Sequence, residues 1–203
     1  MSSRAITGAV LVTLSLAASA PAADFSDPTW PCIQRKVEGL SPGIMWPHPI
    51  EERTFAPETE AAARDLAGRM ALRRIAVEDL PPMVAEFTEA HGRDPALLGH
   101  VFMLAFDRMS SQRRAIMQGI EDYSLKQIAL SQRIDATRVE MDRLMVAEQP
   151  DYDRVDELEE QLAWDERIFT DRTQSLTYVC ETPVILEKRL YSIAQMLAAA
   201  TGG

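Results

Sequence analysis

Few residues in this chain combine the type and spacing that chemistry needs. His100, Met103 and Asp107 follow steps of three and four, so one helical face would carry all three. With Met109, Met117 and His91 close by in sequence, that combination suits a soft, copper-type site. The same spacing inside an apolar run is also what a buried helix shows, with His making one hydrogen bond and Met filling a gap. The second reading is adopted and no metal site is assigned. His48 stands in a proline-rich stretch, and His91 precedes Gly92 at an expected helix end. The sequence contains no G-x-S-x-G elbow, no glycine-rich phosphate loop and no C-x-x-C-H haem attachment. Neither an enzymatic activity nor a cofactor is expected.

Carboxylates are the second chemical resource. Residues 135–167 hold twelve acids against Arg138, Arg143, Arg154 and Arg167, a surplus of eight in a chain whose net charge is −10. A balance this acidic (sequence pI about 4.8) argues against nucleic acid as partner, because phosphate neutralisation needs a basic surface. The segment Asp151 to Glu157 begins like a calcium loop, yet it lacks glycine at the sixth position and glutamate at the twelfth. Acids in the first turn after Pro150 favour the helix dipole, but the surplus continues beyond the reach of that effect. Asp153, Asp156, Glu157 and Glu160 are the candidate contacts for a protein partner with a basic surface. Plain solvation of a helix end is the competing account.

Cys32 and Cys180 are the only cysteines. Arg4, the apolar run Ala5–Ala18 and the small-residue site Ala20-Pro21-Ala22 read as a signal peptide over residues 1–22, too short to span a bilayer. Export to a periplasm or beyond the cell turns an even cysteine pair into an expected disulfide. Closing a loop of about 149 residues gives an upper value of roughly 5 kcal/mol in the chain-entropy treatment.

These residues need elements to position them. Residues 23–57 carry six of the twelve prolines together with Trp30, Trp46 and Phe55, which suits an irregular strap laid on a helical body. Ser41-Pro42 is suited to start one short turn. Residues 58–110 read as a helical body, with starts at Pro57-Glu58 and Asp94-Pro95, a cap at Asp79 before Pro81-Pro82, and an end at His91-Gly92. One helix pattern ends at Ile75, and Met109–Gln112 is either a break or a stretch the helix runs straight through.

Residues 111–182 follow alternating three- and four-residue apolar steps on both sides of Pro150, from Ile116 to Leu144 and from Val155 to Val179. That is a coiled-coil-like antiparallel hairpin in which facing residues have numbers totalling about 299, so Leu130 opposes Phe169. Residues 183–203 return to the body as a last helix, kinked at Pro183. The fold class is therefore all-α. The expected role is a non-enzymatic interaction, adaptor or chaperone-like protein acting through an acidic hairpin tip. Self-association through off-seam apolar residues such as Trp164, Ile168 and Tyr178 is a further expectation. The alternative is a metal-handling accessory built on the His/Met helix and the acids.

Overall fold

Pro57, Pro81 and Pro95 each stand at the start of a helix, where a missing N–H costs nothing and a fixed φ helps. The computed structural model describes residues 27–202, so the expected leader lies outside the described part. A single turn, α1 (Pro42–Met45), precedes α2 (Pro57–Met70), α3 (Pro81–His91), α4 (Pro95–Met145) and α5 (Tyr152–Ala199). A 3-10 turn at Val77–Asp79 leads into α3. No strand occurs among the described residues, and the protein is all-helical, with α4 packed along α5 as a hairpin.

The helix ends show which local signals hold. The Asp94 carboxylate accepts from the Ala96 amide at 2.9 Å and caps α4. Gly92 ends α3 at φ 95°, a conformation that L side chains avoid. Two expectations need correcting. Asp79 does not cap α3; it closes the 3-10 turn, and Leu80 takes the cap position with its side chain fully buried. Pro81 and Pro82 carry no amide hydrogen, and the Met83 and Val84 amides both donate to the Leu80 carbonyl, so no donor is left for a capping carboxylate. Helix α2 stops at Met70 rather than continuing to Ile75. There the Arg189 Nε donates to the Met70 carbonyl at 2.7 Å, a cation placed on the negative end of a helix.

The longest elements are longer than the sequence pattern suggests. Helix α4 has 51 residues and runs straight through Met109–Gln112, because Met109 and Ser110 are both buried against neighbours. Helix α5 has 48 residues and runs through Pro183. A proline inside a helix costs about 3 kcal/mol. Here Cys180 on one side and Leu186 on the other are both fixed by packing, which offsets that cost. Neither 110/111 nor 182/183 coincides with a helix end, so arm and body share two continuous rods about 75 Å long.

The apolar core sits in the body. Phe102, Leu98, Met70, Leu80, Leu190 and Ile193 are among its fully buried side chains, contributed by α2, α4, α5 and the corner before α3. Trp46 from the strap stacks on Phe102 with ring centroids 5.5 Å apart. Gly99 permits this approach, since a Cβ there would come within 3.1 Å of the indole nitrogen. A smaller cluster joins the strap to the base of the arm: Trp30 and Cys32 pack on Met117, Ile120, Leu176 and Cys180. The Cys32–Cys180 disulfide is formed, with Cα atoms 5.5 Å apart. Beside it, the Ser124 hydroxyl donates to the Pro28 carbonyl at 2.9 Å, and Lys36 reaches Glu121 at 2.8 Å. No helix among the described residues is long and apolar enough to cross a membrane.

Candidate functional site

Beyond residue 130 the hairpin is only two helices thick, and its seam mixes apolar and polar groups. Leu130, Ile134, Val155 and Leu158 are buried. On the base side of Leu130, Gln127 donates to the Phe169 carbonyl at 3.1 Å and to the Thr173 hydroxyl at 3.2 Å. Arg133 grips the buried Asp165 carboxylate with two bonds of 2.7 and 2.6 Å. Further out, Arg138 pairs with Glu166 at 2.6 Å and Arg154 with Glu140 at 3.3 Å. These cross-arm pairs bracket the expected total of 299, so the register read from the heptads is the one observed.

The same arginines sort the acids. Asp135, Glu140, Glu157, Asp165 and Glu166 each sit within an ion pair with Arg133, Arg138 or Arg154. Asp151 caps α5 by accepting from the Arg154 amide at 3.1 Å. Asp153, Asp156 and Glu160 are exposed and have no basic partner within 4 Å among the described residues, and the same is true of Asp142, Glu148 and Glu159. Of the four candidate contacts, Glu157 is therefore partly neutralised, by Arg154 at 2.9 Å, while the other three are not.

The turn between the arms adds what the sequence reading missed. Val146 is 84% exposed, Tyr152 62% and Met145 51%, on either side of Pro150. All three lie off the seam, and that off-seam position next to a turn was the available signal. Exposed apolar side chains and unpaired carboxylates close together in the chain are the two ingredients of a small docking surface, an anchor and a charge.

The His/Met face of α4 is occupied differently. His100 Nε2 donates to Glu60 Oε2 at 2.8 Å, and the imidazole lies 5.2 Å from the Phe55 ring. The Arg64 guanidinium, and then His100, hold the Glu60 carboxyl below the ordinary carboxylate range. Met103 packs half-buried against the core and Asp107 is exposed. His91 bonds Thr59 at 3.3 Å and His48 abuts Trp46, so the three imidazoles belong to three separate settings. No group of three or more His, Cys, Asp and Glu residues is arranged to hold a metal ion among the described residues. Comparison with protein-family models, with curated proteins and with solved structures finds no match for this chain.

Proposed function

We propose that the protein is an exported, non-enzymatic adaptor that docks a basic protein surface through the end of its hairpin. The observation that carries this reading is that Met145, Val146 and Tyr152, all exposed beside the Pro150 turn, stand close in the chain to the unpaired carboxylates Asp153 and Asp156. Solvation accounts for the acids, and docking gives the large apolar side chains left open at the same turn a use. The charge would speed encounter and fix orientation, and the apolar trio would supply the burial that holds the complex. Export is supported by the disulfide, which persists in oxidising compartments.

The test compares capture of partners, from extract of the native compartment, by the intact chain and by two variants. One carries Asp153→Asn, Asp156→Asn and Glu157→Gln. The other carries Val146→Ser and Tyr152→Ser. A partner lost with both variants, its capture by the intact chain weakening as salt rises, is the expected result. Equal capture by all three proteins overturns the reading.

A further inference from the structure

The two sides of the hairpin base differ. Ile120 and Leu176 lie on the seam between α4 and α5. On one side of them the strap covers Met117 and Cys180. On the other, Gly119, Tyr123, Ser175 and Val179 line an uncovered hollow of about 120 Å³. A Cβ added at Gly119 would meet nothing within 4 Å, so this side is open.

Next to that hollow, the outer surface of α5 carries a second heptad series. Trp164, Tyr178 and Ile185 are 63%, 75% and 43% exposed and stand seven or fourteen residues apart, with Asp171 at the intervening step. Three residues beyond each of them in turn stand Arg167, Gln174, Glu181 and Lys188, and Glu160 begins that second row. All these residues are exposed. Among the described residues none of Glu160, Arg167, Asp171, Glu181 and Lys188 enters an ion pair, although Arg138 and Arg154 pair readily further along the arm.

The order Glu160, Arg167, Gln174, Glu181, Lys188 reads as its own opposite when reversed about Gln174. We infer that this face of α5 packs antiparallel against the same face of a second copy of the chain, with the two-fold axis at Gln174–Ser175. In that alignment Glu160 faces Lys188 of the second copy, Arg167 faces Glu181, Trp164 faces Ile185, and Asp171 faces the Tyr178 hydroxyl. Small Ser175 sits at the axis, beside the hollow. A parallel, in-register pair would set each charge against its like and bring both acidic tips together; the antiparallel pair avoids both. The strip from Glu160 to Lys188 is about 43 Å long and about 10 Å wide on each copy, which places the contact among the smaller, weaker specific interfaces.

The experiment is sedimentation equilibrium on the full exported chain with its disulfide intact. The unmodified protein is expected to be a reversible dimer that weakens as salt rises. Arg167→Glu sets a second carboxylate against Glu181, twice per dimer, and should raise the dissociation constant about tenfold or more. Adding Glu181→Arg to that variant should restore association, because the pair is then reversed but complementary. Arg167 and Glu181 lie outside the tip contacts, so this outcome is independent of the docking proposal. A monomeric parent protein overturns the inference. So does a dimer indifferent to Arg167→Glu, or one that Glu181→Arg fails to restore, since a parallel pair would show no such compensation.

Discussion

Body and arm are built from the same two helices, yet they hold together by different means. In the body, α4 and α5 meet α2, α3 and the strap, and the contacts are large and apolar; Phe102, Leu98 and Leu190 have no exposure. In the arm they meet only each other, and buried Gln127, Thr137 and Asp165 interrupt the apolar seam. Apolar packing is non-directional, so it suits a body where shape alone selects the arrangement. Two helices alone can slide by a heptad at little cost. The Gln127–Thr173 and Arg133–Asp165 contacts penalise that slip, because a buried polar group out of register loses its partner. Such contacts set the alignment more than they add stability.

Substitutions at the two places should therefore fail differently. Phe102→Ala removes a fully buried ring that touches Trp46 and Phe106 and should destabilise the whole protein by about 4 kcal/mol, read from denaturant unfolding. A loss below about 1 kcal/mol would show that the core collapses to fill the space. Arg133→Ala leaves the Asp165 carboxylate buried without its partner and should cost about 2 kcal/mol. The loss should be confined to the arm, with hydrogen exchange quickening over residues 125–175 while amides around Leu98 and Ile193 stay protected. Uniform quickening would mean that arm and body unfold as one unit.

The smallest effect concerns Glu60, whose carboxyl is held below the ordinary range by Arg64 and His100. A depressed carboxylate contributes stability above the pKa of the unfolded chain and loses it as pH falls through the folded value. Between about pH 5 and pH 3, Glu60→Gln should lose less stability than the unmodified protein, read as the difference in melting temperature. Parallel curves for the two proteins would remove Glu60 from the acid response.

Much of the framework was legible because it rests on local rules. Proline at helix starts, Asp94 as a cap, Gly92 as a stop and the three-four spacing around Pro150 act within one or two turns. The cysteine pair was legible through compartment rather than geometry. What escaped depends on residues distant in the chain. Helix α2 ends at Met70, whose carbonyl accepts from Arg189, 119 positions away. Continuity through Ser110 and Pro183 depends on neighbours packed at those points, which no window of sequence contains. At the tip, charge drew the reading toward Asp153, Asp156, Glu157 and Glu160. Val146 and Tyr152 escape that reading because their off-seam position beside the turn is a weak signal until their exposure is known.

The unbroken course of α4 and α5 has a mechanical side. From the base cluster at Met117 to the turn at Met145 the arm projects about 42 Å with no hinge along it. It is a cantilever, and any sideways load at Val146 becomes a bending moment that is greatest where the beam is clamped. That point is where the strap is riveted by the Cys32–Cys180 cross-link and by Lys36 on Glu121. Past it the same two helices continue into the core beneath Trp46, so a pull at the tip reaches the body through continuous helix and not through a loop.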